Sequence, residues 1–274
     1  MYKLIAVDLD GTLLDDNKEI SKETIASIKE AANDGLYFVF SSGRPIITQM
    51  RFYNKIGINM PMIACNGAVI AYPDYNNIII NEYFHKDILI DLVNYLNNKN
   101  KSFIAWSNND LYCNKVNKYT TSYHDACKHA NVEIKVIKDY NKFYDLLINK
   151  MIVIDESDNI QIFLKDVKED IRNKCNYFTS QSYFLEFVPS GIDKGIAIEK
   201  LAKYLDIKKE EIIAIGDGFN DLSMFEHAGL KVAMENASEY VKSQSNYITS
   251  NNNNNGVKEV IDKFVLGDNN EKRK

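Results

Sequence analysis

Short apolar runs alternate with helix-like patterns at both ends of the chain, and a stretch of different character separates the two ends. Residues 2–7 read as a strand. Ser21 caps a helix whose inner face carries Ile25, Ile28 and Ala32, and Gly35 ends it. Residues 36–40 form the next strand. Pro45 opens a helix that Gly57 closes, and residues 62–65 are a third strand. The alternation returns late, with helices at 194–205, 222–228, 239–244 and 257–264 and strands at 212–215, 230–233 and 247–249. Continuous apolar strands separated by helices predict a parallel sheet covered on both faces.

The middle mixes helix-like stretches (87–96, 119–129, 159–174) with strands (102–106, 133–137, 151–154, 183–188) and is rich in aromatics. It reads as a second α+β domain inserted into the first. We therefore expect an α/β, Rossmann-like parallel-sheet core at 1–82 and 189–274, and an inserted α+β cap at 83–188. A length of 274 residues suits two domains. Two crossings, near Glu82 and near Val188, permit hinge motion.

Where such a sheet binds ligand is fixed by topology: beyond the carboxyl ends of its strands. The first strand ends in Asp8-Leu9-Asp10-Gly11-Thr12. The second ends in Ser41-Ser42-Gly43-Arg44 and the third in Asn66-Gly67. The strand at 212–215 ends in Gly216-Asp217-Gly218-Phe219-Asn220-Asp221. Carboxylates so crowded repel one another unless a cation sits among them. All-oxygen ligands from Asp8, Asp10 and Asp217 suit a hard cation such as Mg²⁺. The glycines beside them let backbone N–H groups approach an anion. A phosphate site with its metal is the reading, in which one carboxylate acts as nucleophile and another carries the proton.

These motifs resemble the haloacid dehalogenase superfamily of aspartyl-phosphate phosphatases, in its Cof-like branch with a large cap. The DxDGT motif stands as Asp8 to Thr12, the second motif as Ser42, the third as Lys194 and the fourth as Gly216 to Asp221, in the family's order. Asn66-Gly67-Ala68 and Ala233-Met234-Glu235-Asn236-Ala237 are similar to that branch as well. The resemblance implies that Asp8 attacks phosphorus and that Asp10 serves as acid, then base. It implies Mg²⁺ on the Asp8 carboxylate, the Asp10 carbonyl and Asp217, with Thr12 and Asp221 supporting that site from behind. Ser42, Lys194, Asn220 and the amides of Leu9 and Gly43 would hold the phosphoryl oxygens. Arg44, at the same rim, is expected to contact phosphate or substrate. The expected substrate is a small phosphorylated metabolite, a sugar phosphate first and a nucleotide or a cofactor such as FMN or pyridoxal phosphate next.

Composition narrows the alternatives. A net charge of −5, with 45% hydrophobic and 26% charged residues, describes a globular protein without the basic face that nucleic acid or a membrane surface requires. No apolar run approaches the roughly 20 residues of a membrane span. No signal-like segment precedes the first strand, and Cys65, Cys113, Cys127 and Cys175 lack C-x-x-C spacing. A cytoplasmic protein with reduced cysteines, no zinc, and a monomeric or weakly dimeric state is expected. The asparagine run at 251–255 reads as a surface loop and residues 267–274 as a frayed tail. His85, His124, His129 and His227 are expected to be structural or solvated; Trp106, Tyr112 and Tyr123 are expected to pack in the cap, with lining of a substrate pocket as the second reading. Two rivals stay open. A phosphosugar mutase shares the chemistry, though Gly216 to Asp221 resembles the hydrolases more closely. A non-catalytic regulator would bind phosphometabolites through a degenerate site, against which the full set Asp8, Asp10, Lys194 and Asp217 argues.

Overall fold

The computed structural model describes residues 1–73, 77–167 and 169–267. The rest of the expected tail, 268–274, lies outside the described residues. The first part of the chain supplies β1 (Leu4–Val7), β2 (Tyr37–Phe40), β3 (Met62–Ala64), β4 (Val69–Ala71) and β5 (Ile78–Asn81). The middle supplies β6 (Phe103–Ser107), β7 (Asp110–Cys113), β8 (Ile134–Val136), β9 (Lys150–Ile154), β10 (Cys175–Phe178) and β11 (Phe184–Pro189). The last part supplies β12 (Ile212–Gly216), β13 (Leu230–Met234) and β14 (Tyr247–Thr249).

The core sheet runs β14-β13-β12-β1-β2, every pair parallel. Alternate residues of β1 enter two different cores, as the pleat demands. Ile5 and Val7 pack with Ile28, Ala31, Val260 and Ile261 from the helices Lys22–Asn33 and Gly256–Ile261. Leu4 and Ala6 pack with Ala197, Ile198, Leu201 and Phe225 from the helices Lys194–Tyr204 and Leu222–Glu226. Both faces are thus covered, which explains why these strands are apolar throughout rather than alternating.

A small antiparallel sheet, β3-β4-β5, lies beyond β2, touching it through the parallel bridge Ser41 to Ile63. The middle segment forms its own sheet, β10-β11-β9-β6-β7-β8, antiparallel except for β7-β8. One face of it packs Ala105, Met151, Val153 and Phe187 against Leu89, Leu92 and Phe163 from the helices Lys86–Asn98 and Ser157–Asp166. The opposite face, with Trp106, Ile152 and Ile154, meets Tyr119 and Tyr123 of the helix Lys118–Cys127 and Ile47 of the core. That face of the middle sheet is therefore the one turned toward the core.

Several expectations need correction. One helix was expected over 159–174; the chain forms Ser157–Asp166 and then a separate turn, Glu169–Arg172. β4, β5, β7 and β10 were not anticipated. Each is a strand through its pairing, β4 with β3 and β5, β7 with β6 and β10 with β11, rather than through a pattern of its own. Residue 65 was expected in strand, but Cys65, Asn66 and Gly67 all have positive φ (52°, 53° and 104°) and form a tight turn.

Candidate active site

The parallel register sets Val7 opposite both Ile215 and Phe40. The residues that follow, Asp8, Gly216-Asp217 and Ser41-Ser42, therefore emerge at one level of one rim. Asp8 is 8% exposed, and its Oδ1 accepts a hydrogen bond from Lys194 Nζ at 2.6 Å. Lys194 comes from the first turn of its helix, which Asp193 caps by accepting from the Ile196 amide. The strained turn at Cys65–Gly67 packs on that cap. A Cβ on Gly67 would stand 2.3 Å from the Asp193 carbonyl, so only glycine fits there.

Lys194 Nζ also donates to Asp221 Oδ1 at 2.6 Å. The other Asp221 oxygen accepts from the amides of Asp217 and Gly218, at 3.0 and 2.9 Å. Both Asp221 oxygens are thereby engaged, and the side chain acts as a brace. Asp217 Oδ1 accepts from Thr12 Oγ1 at 2.5 Å. That leaves one oxygen of Asp8 and one of Asp217 unengaged by these bonds, on carboxylates that lie with Asp221 within 4.8 Å of one another. Three carboxylates face one ammonium, an excess of two negative charges, which is the charge of one divalent cation. The electrostatics record the same imbalance. Burial, then repulsion from Asp221 and Asp217, pushes Asp8 well above the usual carboxyl range despite Lys194. Burial and Asp221 push Asp217 up to about 6. The hard-oxygen donor set and its charge excess fit a Mg²⁺-like ion.

Asp10 lies apart from that cluster by its side chain. Its carboxylate takes a two-pronged contact from Arg44, Nε to Oδ2 at 2.6 Å and Nη2 to Oδ1 at 2.8 Å, and an ion pair with Lys18 at 3.0 Å. These partners outweigh burial and hold Asp10 well below the usual carboxylate range. Arg44, expected on phosphate or substrate, is instead committed to Asp10 in this state. Lys18 was not anticipated. It sits in the turn after the motif, where nothing in the pattern marks it.

Ser42 is buried, and its Oγ accepts from the Arg44 amide at 3.2 Å. The amides of Leu9 and Gly43 donate to no other protein group among the described residues. Asn220 stands on the rim beside Asp217. A cleft of about 780 Å³ opens over all of these. Its far wall comes from the middle segment and includes Tyr123, Tyr183, Phe184, Lys150 and Glu186. Tyr123 and Tyr183 both set their rings against Phe184, at 5.8 and 4.5 Å between centroids. Trp106 is fully buried and donates Nε1 to the Tyr123 hydroxyl at 2.9 Å; Tyr112 lies away from the cleft.

The asparagine run proves more than a loop. Asn252 donates to the Leu14 carbonyl, and Asn252 and Asn253 both donate to Asp16. Asn236 donates to the Gly11 carbonyl at 2.8 Å and receives the Asn252 amide. The loop that carries Asp8 and Asp10 is pinned from its outer side. His124 and His129 contact the carbonyls of Val132 and Thr48, in keeping with structural roles. All four cysteines are free and buried. Among the described residues, no helix is long and apolar enough to cross a membrane.

Comparison with known proteins agrees with this geometry. A family model described as haloacid dehalogenase-like hydrolase matches residues 5–261. The chain is 32% identical over 270 residues to the putative phosphatase YxeH of Bacillus subtilis, covering 97% of this chain and 99% of that protein. It is 31% identical to YcsE of the same organism, a 5-amino-6-(5-phospho-D-ribitylamino)uracil phosphatase, over 96% of each chain. The crystal structure of TM0651 from Thermotoga maritima superposes with a TM-score of 0.84 at 35% identity, covering 96% of this chain and 98% of that one. Coverage is end to end in each case, so both the parallel core and the inserted cap are shared. The chain belongs to the haloacid dehalogenase-like hydrolases and is a phosphatase of that family.

Proposed function

We propose that this phosphatase hydrolyses small phosphomonoesters through an aspartyl-phosphate, with Mg²⁺ as its cofactor and residues 83–188 as a cap over the rim. The observation that carries the reading is the buried Asp8–Lys194–Asp221 cluster beside Asp217, with its uncompensated negative charge. Asp8, Asp217 and the Asp10 carbonyl would hold Mg²⁺, which neutralises charge on the phosphoryl oxygens when bound. Asp8 forms the bond to phosphorus as the ester oxygen leaves. Lys194 offsets the repulsion between Asp8 and the phosphate dianion and keeps the nucleophile in place. Ser42, Asn220 and the free amides of Leu9 and Gly43 receive the three equatorial oxygens. The departing alkoxide takes its proton from Asp10, which must exchange the Arg44 fork to carry one. Asp10, ionised again, then removes a proton from the water that cleaves the acyl phosphate.

A sugar phosphate is the first choice of substrate. A ring-bearing leaving group is the second, favoured by the aromatic wall of Tyr123, Tyr183 and Phe184, which suits a planar partner. The relative that acts on a ribitylaminouracil phosphate supports that second choice. The test is phosphate release from a panel of sugar, nucleotide and cofactor phosphates with Mg²⁺, repeated in EDTA. Turnover on one class, lost in EDTA, is expected. Undiminished turnover in EDTA would remove the metal from the scheme. Isomerised sugar without phosphate release would favour a mutase, and silence on every ester a regulator.

Gly11 offers a second check on the metal position. It holds φ at 85°, and a Cβ there would stand 2.5 Å from Asp217 Oδ2. Gly11→Ala must displace that carboxylate, so the Mg²⁺ concentration for half-maximal rate should rise and turnover fall about 10²-fold. An unchanged Mg²⁺ requirement would detach Asp217 from the ion.

A further inference from the structure

β9 begins on Lys150 and β11 carries Glu186 between Leu185 and Phe187, two charged residues in otherwise apolar strands. Both are buried, at 2% and 3% exposure, and they pair at 2.7 Å. A buried ion pair is weak support for stability, because apolar residues in its place do as well or better. Its use must be sought in what it touches.

Glu186 Oε2 accepts from Asn66 Nδ2 at 2.7 Å, and Oε1 from Ser180 Oγ at 2.8 Å. Lys150 Nζ donates to the Gly43 carbonyl at 2.7 Å. That carbonyl is the middle one of three. The Ser42 carbonyl is held from within the core by the Asn66 amide, at 3.1 Å. The Arg44 carbonyl is held there by the Cys65 amide at 3.1 Å and by Gln49 Nε2 at 2.8 Å. Among the described residues the Gly43 carbonyl has only the lysine from the middle segment. A glycine has little conformational preference of its own, so this peptide needs an external restraint. The far end of the same peptide is the Arg44 amide, which donates to Ser42 Oγ. Fixing the carbonyl therefore fixes the amide that occupies one side of the Ser42 hydroxyl oxygen.

We propose that Lys150 is a positioning residue, through which the cap orients the Ser42-Gly43-Arg44 loop that receives the phosphoryl group. The inference rests on the proposed role of that loop in phosphate binding. The cradle is complete only with the cap seated, so an ester that fails to bring the cap down meets a poorly ordered loop. Glu186 holds Lys150 in register, and the strained Asn66 turn ties the pair to the core.

The test measures inorganic phosphate as a competitive inhibitor of aryl phosphate hydrolysis, since phosphate has no leaving group. Lys150→Met would strand the Glu186 charge, so it is made in a Glu186→Gln background and compared with that background. Lys150→Met/Glu186→Leu, apolar on both sides, is the second version should the first fold poorly; thermal melts report folding. Loss of Lys150 should raise the phosphate inhibition constant about tenfold and lower kcat/KM by one common factor for every ester. Ser42→Ala is the reference and should weaken phosphate directly. If Ser42→Ala weakens phosphate while loss of Lys150 does not, and esters change unequally, Lys150 reads the leaving group and the positioning role is wrong. If neither changes phosphate binding, the cradle itself has been misassigned and the inference falls with it.

Discussion

Asp8→Asn should fold as the wild type does and release phosphate at least about 10⁴-fold more slowly from every ester. The amide keeps the shape of the side chain but lacks the negative charge that makes the carboxylate oxygen a nucleophile toward phosphorus. Stability should hold or rise in metal-free protein. Burial together with Asp217 and Asp221 already disfavours the ionised form of Asp8, and a neutral amide removes that repulsion. Lys194 keeps Asp221 as its partner, so no buried cation is left alone. Two measurements check this: phosphate release with Mg²⁺, and thermal midpoints in EDTA. A near-normal rate would end the covalent mechanism. A melting point far below wild type would mean that Asp8 is needed to hold Lys194, and the rate would then say nothing about nucleophilicity.

The rim was legible because its chemistry is local in sequence. Asp8 to Thr12 and Gly216 to Asp221 each follow an apolar strand directly, so knowing that the sheet is parallel already puts both at one edge. Lys194 was readable only through the resemblance; alone it is a lysine in the first turn of a helix. What stayed hidden depends on contacts across long separations. The Arg44 fork on Asp10 joins two loops that pattern leaves independent. Lys150 and Glu186 carry a usable signal, a charge within an apolar strand, but no local rule says that both turn toward Gly43. The asparagine run is the surface loop its composition implies, but its contacts stayed hidden for a related reason. Its composition says surface, while its work is to pin the loop of Asp8 and Asp10 from outside. In the cap, short strands such as β7 and β10 escaped because their pairing partners, not their own sequence, make them strands.

Lys194→Met should be the most damaging single change to stability among the site residues. Nζ is the ammonium bonded to both Asp8 and Asp221, in a pocket where Lys194 is 1% exposed. Methionine fills much the same space, so the loss is electrostatic rather than a cavity. Removing one partner of a buried pair costs about 3–5 kcal/mol, and turnover should disappear with it. The dependence on pH separates this cause from packing. Carboxyls whose protons are held more tightly in the folded state, as with Asp8 and with Asp217 at about 6, stabilise the fold at low pH. That contribution fades as pH rises through their folded values. Without the ammonium those values climb further, so the deficit of the variant should be small near pH 4.5 and full near pH 7.5. Urea midpoints at the two pH values, in EDTA, measure it. An equal deficit at both would make Lys194 a packing residue. A deficit that opens with pH and narrows on adding Mg²⁺ would show that ammonium and metal answer the same excess of charge at the head of β1 and β12.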